Sequence, residues 1–573
     1  MENIIKAKTP WKDSLGELPF SMEYDKKSLY RAVEEAKDKF ADQIAYDFMG
    51  KSTTYKRMIE QIKQCAIAFK MMGIREGDII TIALPNCPQA IISFYAASYI
   101  GAISSIIHPL SAEKEFEKYL MESRSRTIIV LNSVYPKIEA IRHNTDVTNV
   151  VVVDIKDELS RTMKIGYQLT EGRKNPKLQK ETPVIFWKAF MDIAKKKQPP
   201  MEHEGAEGDT AVILYSGGTT GKSKGIELTN LNVNALGRQI IATNPMFKPK
   251  DRMLAAMPIF HGFGLGVCIH SMLISGGRCV LVPRFTAESY AKLIVKYKCN
   301  FIAGVPTLYE ALLHVKYLDG KSLQSLKGVY SGGDSLSPEL KRKIDTFLYE
   351  HDSPVQVREG YGTTETVNAC CLTPPTKFKD GSIGLPFPDT YFKIVKPGTE
   401  EELPYGEMGE ILIAGPTTMK CYMNEPEETS KTVRHHEDGL DWVYTGDLGI
   451  MDKEGFVFFK GRIKRMIVSS GYNIYPSEME KIIEAHPKVH LSCVIGVPDP
   501  YRMQKTKAFV VLEPGNDPSE DLKEKLMVYL RKNVAKYAMP YDIEFRDELP
   551  KTLVGKVDYR KLEEIELSKT DTK

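Results

Sequence analysis

Short apolar runs of β-branched character recur along the chain, at 127–131 (TIIVL), 149–153 (NVVVV), 211–215 (AVILY), 279–282 (CVLV) and 492–497 (SCVIGV). Runs of this length and composition predict buried strands. Between them the apolar positions take helical spacing, as at Leu29–Phe40, Lys56–Met72 and Ala287–Lys298. Strands alternating with helices predict an α/β fold with largely parallel sheets. No fixed-period repeat is visible.

One apolar stretch is longer, because no Lys, Arg, Asp or Glu occurs between Asp78 and Glu113. Its best window, Ala90–Ile107, contains Ser93, Ser98, Ser104 and Ser105 and is divided by Gly101. A membrane-spanning helix needs about 20 predominantly apolar residues. The stretch reads instead as a buried helix over 89–100, a turn at Gly101 and a buried strand over 102–107. Residues 156–200 have the opposite character, with eleven Lys or Arg against five Asp or Glu and Trp187 and Phe190 interleaved. Two readings stand for them, a solvated helical insertion or a surface that meets anionic lipid. Peripheral contact is the most that is expected of a membrane.

A length of 573 residues corresponds to about four domain-sized units. Apolar residues at 42% and charged residues at 27% exclude a disordered or fibrous chain. With 78 basic against 75 acidic residues, the net charge of +3 gives no support to a nucleic-acid binder. The nine cysteines form no CxxC pair and read as reduced thiols, with no zinc or iron–sulfur spacing. The segment MENIIKAKTPWKDSLGE has charges inside any apolar run and does not read as a secretory signal. The expected location is cytoplasmic.

The strongest chemical signal is the run Tyr215-Ser216-Gly217-Gly218-Thr219-Thr220-Gly221-Lys222-Ser223-Lys224-Gly225. Glycines let backbone N–H groups approach an anion, and hydroxyls and ammonium groups add donors, so such loops cradle phosphate. It is not a Walker A loop. The spacing requires glycine at 216, where the chain has Ser216. A Walker loop also opens a helix, whereas Ile226–Thr229 looks extended and helix signals begin only at Asn230.

This loop resembles that of the adenylate-forming superfamily of acyl-CoA synthetases, luciferases and adenylation domains, in the Gly-Gly-Thr-Thr-Gly style of fatty acyl-CoA synthetases. Further elements follow in the family's order: Gly360-Tyr361-Gly362-Thr363-Thr364-Glu365, Tyr444-Thr445-Gly446-Asp447, Gly461-Arg462-Ile463-Lys464 with Gly471-Tyr472-Asn473-Ile474, and Pro550-Lys551-Thr552-Leu553-Val554-Gly555-Lys556. The resemblance implies that a carboxylate is joined to ATP with release of pyrophosphate, and that the acyl group then passes from AMP to the thiol of CoA. A carboxylate attacking a polyphosphate faces like-charge repulsion, so catalysis is mostly positioning and charge neutralisation.

By the same resemblance Ser216, Gly217, Gly218, Thr219, Thr220, Gly221 and Lys224 hold the phosphates, and Thr364 donates to the α-phosphate. Glu365 holds Mg²⁺. Tyr361, with Glu359 and Gly360 before it, faces adenine opposite Gly333 and Asp334. Asp447 accepts the ribose hydroxyls, Arg462 adds a donor, and Lys556 bridges the attacking carboxylate and the α-phosphate. His261, in a P-x-F-H element, lies between nucleotide and acyl pocket. Asp334 departs from the family's commoner Ala-Pro.

The implied fold is a large N-terminal domain of several subdomains with parallel-rich sheets over 1–461 and a small mobile α+β C-terminal domain over 464–573, which carries Lys556. Lys464 falls at the pivot and Gly471 beside the pantetheine tunnel. The acyl pocket is expected from Phe260–Leu265, Tyr330–Asp334 and Thr366–Cys370, where small residues beside apolar walls suit an aliphatic tail. A medium- or long-chain fatty acid is therefore expected. An aryl acid, or transfer to an acyl carrier protein instead of CoA, remains open. A monomer or homodimer is expected.

Overall fold

The computed structural model describes residues 7–570, apart from 161–162, 165, 168–175, 177–183, 196, 217–222, 471 and 553–555. The apolar runs become strands within a residue or two of their expected bounds, namely Thr127–Leu131, Asn149–Val153, Thr210–Tyr215 and Arg278–Leu281. The helices are Leu29–Phe40, Tyr55–Met71 and Ala287–Tyr297. Their starts are chemical: Ser28, Thr54 and Thr286 each accept a backbone N–H from the first turn, satisfying a donor the helix itself leaves free.

Two large sheets carry the N-terminal part. In the nine-stranded sheet, Ile44–Phe48, Arg278–Leu281, Arg252–Ala255, Phe301–Gly304, Gly328–Ser331 and Val357–Tyr361 lie side by side and parallel. In the eight-stranded sheet, Thr210–Tyr215 leads a parallel run through Ile103–Ile106, Ile79–Ala83, Thr127–Leu131 and Asn149–Val153. The uncharged stretch supplies the helix Pro88–Tyr99, buried at every position, then Gly101 at φ 73° and the strand Ile103–Ile106. A helix apolar all round belongs inside a large core. Among the described residues no helix is long and apolar enough to cross a membrane.

Two five-stranded sheets are mainly antiparallel; the apolar runs did not announce them, although the resemblance implied an α+β C-terminal domain. One includes Asp441–Met451 paired with Val457–Arg462. The other belongs to the smaller C-terminal domain. There the run at 492–497 is the middle of Val489–Asp499, which pairs antiparallel with Met503–Leu512. The strand Ile467–Ser469 ends just before residue 471, and the strand Tyr472–Ile474 precedes the helix Pro476–Glu484. This domain has its own core around Ile467, Met479, Ile483, Val494 and Leu526. It meets the larger domain through ion pairs of His490 with Glu310 at 3.1 Å and of Glu513 with Lys343 at 3.5 Å.

Of the 45 residues of the basic segment, 19 lie outside the described residues, but Trp187 and Phe190 do not. Trp187 and Phe190 are buried, and Phe190 packs 5.3 Å from Phe69. They are core residues, so neither faces lipid.

Candidate active site

Four segments leave the carboxyl ends of parallel strands toward one cleft of about 1420 Å³. Ser216 follows Thr210–Tyr215, and His261 lies six residues beyond Arg252–Ala255. Gly333 and Asp334 follow Gly328–Ser331, and Thr364 and Glu365 follow Val357–Tyr361. Parallel sheets open their ligand crevices at this end because the chain must turn out of the sheet there. The facing wall comes from the antiparallel strands bearing Asp447 and Arg462 and from Lys464 and Lys556. Glu359 and Gly360 line the same space. Gly217, Gly218, Thr219, Thr220, Gly221 and Gly471 lie outside the described residues.

Asp447 is buried, yet its Oδ1 accepts no hydrogen bond among the described residues. Its Oδ2 accepts from the Tyr361 hydroxyl at 2.7 Å, and Arg462 Nε stands 3.2 Å from Oδ1. Strand pairing sets this up, with Asp447 opposite Arg462 in the ladder. Burial raises the Asp447 carboxyl, while Arg462 and the Tyr361 hydroxyl pull it back down. A buried carboxylate oxygen without a donor is costly unless a ligand supplies one. A ribose hydroxyl fits that requirement, and the adjoining Tyr361 ring fits a flat base.

At the foot of the phosphate loop, Ser216 N–H donates to Lys224 O at 3.1 Å and Ser223 Oγ donates to Ser216 O at 2.6 Å. Lys224 does not reach into empty space. Its Nζ lies 2.6 Å from Glu428 and 4.6 Å above the Tyr422 ring. Lys224 and Lys431 together hold the Glu428 carboxyl down to about 2. The Tyr422 hydroxyl donates to Glu365 Oε1 at 2.6 Å. Glu428 and Tyr422 escaped the sequence reading. They arrive with Cys421–Tyr422, which adds to the edge of Gly225–Thr229, a pairing some 195 residues apart that no local pattern announces.

Lys556 rides a hairpin closed by Thr552 N–H donating to Lys556 O at 2.7 Å and by the bridge of Lys551 with Val557. Burial lowers its ammonium pKa, and the charges of Asp334 and Asp447 oppose that. A Cβ on Gly333 would sit 3.7 Å from Lys556 Cε, so the two are in contact range. Burial pushes the Glu359 carboxyl up to about 7 although Leu336 N–H donates to it at 3.1 Å. Lys464 is exposed on the cleft rim.

His261 lies between this cleft and an inner, mainly apolar cavity of about 40 Å³ that includes Ile240, Phe263, Val267, Leu372 and Phe387. Lys556 and Asn368 also border that cavity. One wall is the π-helix Phe263–His270, where a Cβ on Gly264 would come 2.1 Å from Pro258 O. Glycine is required there by close backbone approach.

A family model described as AMP-binding enzyme matches residues 33–423, and one for the AMP-binding enzyme C-terminal domain matches 478–556. A long-chain-fatty-acid–CoA ligase of Bacillus subtilis (strain 168) is 34% identical over 574 residues, covering 98% of this chain and 99% of the relative. The crystal structure of an anthranilate CoA ligase in complex with anthranoyl-AMP superposes with a TM-score of 0.83 at 25% identity, over 97% of this chain and 99% of that one. ATP-bound MatB from Rhodopseudomonas palustris superposes at 0.80 and 25% identity, over 94% and 98%. Fold and cleft are those of the adenylate-forming enzymes, and the chain belongs to the AMP-binding enzyme family. It is an AMP-forming acid–CoA ligase that uses ATP and CoA.

Proposed function

We propose that the acid is a medium- or long-chain fatty acid, activated as acyl-AMP and transferred to CoA in the cytoplasm. The apolar lining of the inner cavity carries this reading, and the fatty-acid ligase of B. subtilis supports it. The cavity's volume favours a second reading. At about 40 Å³ it is well below the about 300 Å³ of an ordinary ligand pocket. A long tail enters only if walls such as Phe263 and Phe387 move, whereas a flat aryl acid needs less. AMP release with CoA across acetate to oleate, benzoate and cinnamate decides. A maximum at eight carbons or more supports the fatty-acid reading, and a maximum at benzoate or cinnamate replaces it.

In the nucleotide step, Tyr361 with Gly333 and Asp334 flanks adenine, and Asp447 and Arg462 take the ribose. Ser216 through Lys224 cradle the outer phosphates, and Thr364 donates to the α-phosphate. Lys556 stands between two anions, the attacking carboxylate and the α-phosphate. It lowers their repulsion as the bond from carboxylate oxygen to phosphorus forms and pyrophosphate leaves with the electron pair. The buried Asp447 Oδ1, ion-paired with Arg462 but accepting no hydrogen bond among the described residues, supports the nucleotide assignment.

Glu365 fits a Mg²⁺ ion. Oε1 takes the Tyr422 hydroxyl, and Oε2 has no partner among the described residues. Mg²⁺, when bound with the phosphates, neutralises their charge. Glu365→Gln is therefore expected to shift the Mg²⁺ titration of turnover upward and to lower the rate. An unchanged titration removes Glu365 from the site.

The two domains divide at 461–464 in this reading, and Lys464 is the pivot for the second half-reaction. The pose seen here, with Lys556 in the cleft, serves the first. Gly471 would then border the thiol path. Gly471→Leu is expected to leave acid-dependent pyrophosphate exchange nearly intact and to cut acyl-CoA formation by orders of magnitude. Equal damage to both steps with a lowered Tm assigns Gly471 to a turn, and wild-type acyl-CoA formation removes it from the thiol path.

A further inference from the structure

The turn after Glu365 places Val367 at φ 54° and Asn368 at φ 63°. Left-handed backbone at a β-branched residue is strained, and such strain persists where the surroundings over-determine it. Here Val367 is fully buried, and Asn368 N–H donates to Thr363 O at 2.7 Å. The turn aims the Asn368 side chain across the cleft. Its Oδ1 accepts from Gly262 N–H at 2.9 Å, which settles the orientation of the amide. Nδ2 then lies 3.3 Å from Thr364 Oγ1 and 3.3 Å from His261 Nε2. His261 and Thr364 come from different strand ends, and the Asn368 side chain touches both.

We propose that Asn368 is a positioning residue for acyl-AMP formation, fixing the Thr364 hydroxyl and the His261 ring relative to each other through one amide. This rests on the reading of Thr364 and His261 as site residues. A hydroxyl has one proton and two lone pairs. An amide N–H directed at Thr364 Oγ1 occupies a lone pair and leaves the proton free to point at an α-phosphate oxygen. The other amide proton faces His261 Nε2, which a neutral ring can accept and a protonated ring cannot. Burial and the charge of Lys556 act in the same direction, holding His261 at about 3. Phe263 N–H, 3.3 Å from Nδ1, offers the ring a second donor; a neutral imidazole has one acceptor nitrogen and takes one of the two, whereas a protonated ring takes neither. The site therefore keeps the imidazole neutral where an anionic carboxylate must pass toward phosphorus.

The test uses the full-length enzyme with the preferred acid from the panel and three variants. Asn368→Gly deletes the amide and tolerates the positive φ. Asn368→Asp keeps shape and backbone preference but offers the ring an acceptor. Thr364→Ala is the reference. Asn368→Gly is expected to lower kcat for acid-dependent pyrophosphate exchange by about tenfold to a hundredfold, with KM for ATP within about twofold. Transfer from supplied acyl-AMP to CoA and the Tm should stay near wild type. Asn368→Asp should lose as much and gain a new ionisation in its exchange profile between about pH 5 and 8, because a facing carboxylate raises an imidazole. Wild-type exchange in Asn368→Gly beside a crippled Thr364→Ala overturns the assignment of Asn368 alone. Wild-type exchange in Thr364→Ala overturns the underlying site reading. Equal loss of both half-reactions with a fallen Tm in Asn368→Gly makes the residue merely structural, which also overturns the proposal.

Discussion

Lys556→Ala is expected to lower acid-dependent pyrophosphate exchange by about 10²–10³, while supplied acyl-AMP still reacts with CoA at near the wild-type rate. The ammonium stands at the junction of the nucleotide cleft and the inner cavity, and it borders both. Burial lowers its pKa, but Asp334 and Asp447 across the cleft favour the charged form. A cation held in place before the reaction needs no reorganisation when charge develops, and alanine removes it without filling the space. The hairpin that carries Lys556 is closed by backbone bonds between residues 550 and 558, which alanine leaves intact, so the fold should survive. Selective loss of the first half-reaction follows if the second uses another domain pose. Equal loss of both would sink the two-pose reading.

The second large effect concerns Asp447. Asp447→Ala is expected to lower kcat/KM for ATP by about 10²–10⁴, since charged hydrogen bonds to two hydroxyls are each worth about 1.5–3 kcal/mol. The change does more than remove an acceptor. It strands the Tyr361 hydroxyl, which donates to Asp447 at 2.7 Å, and the Arg462 guanidinium, whose raised pKa comes first from Asp447. Asp447 is buried but the Arg462 side chain is partly exposed, so water screens the charge left behind and the cost stays below the about 3–5 kcal/mol of a fully buried pair, and the Tm should fall modestly as well. Asp447→Asn separates the two effects. It keeps an oxygen for the Tyr361 hydroxyl but leaves the Arg462 charge as unpaired as alanine does, so it should recover only the part of the Tm owed to the Tyr361 hydrogen bond while KM for ATP stays raised. Wild-type KM for ATP in both variants would remove Asp447 from the nucleotide site.

Much of the architecture was legible because it is set locally. Strand runs such as TIIVL and NVVVV, and the apolar helix after Pro88, carry their burial in their composition, which the surrounding chain does not alter. The phosphate loop could be separated from a Walker loop by spacing alone, and the structure places Gly225–Thr229 as a strand and opens the helix at Asn230 with Thr229 as its cap. The antiparallel sheets were not legible, because a period-two pattern does not say which neighbour a strand will take. Val489–Asp499 reads like any buried strand until Met503–Leu512 folds back on it.

The chemistry divides in the same way. The motifs in order along the chain resemble those of the adenylate-forming family, and that resemblance implied a nucleotide-dependent acid activation with Lys556, Glu365, Thr364 and Asp447 as its site residues. Only the tertiary structure decided what stands beside them. Glu428 neutralises Lys224 and Tyr422 holds Glu365 across a sheet edge, and Asn368 reaches His261 because two left-handed residues turn it there. Such contacts join residues up to 204 positions apart. They depend on how strands are ordered in a sheet and how its loops turn, which is a property of the packed whole and leaves no periodic or compositional trace in any one segment.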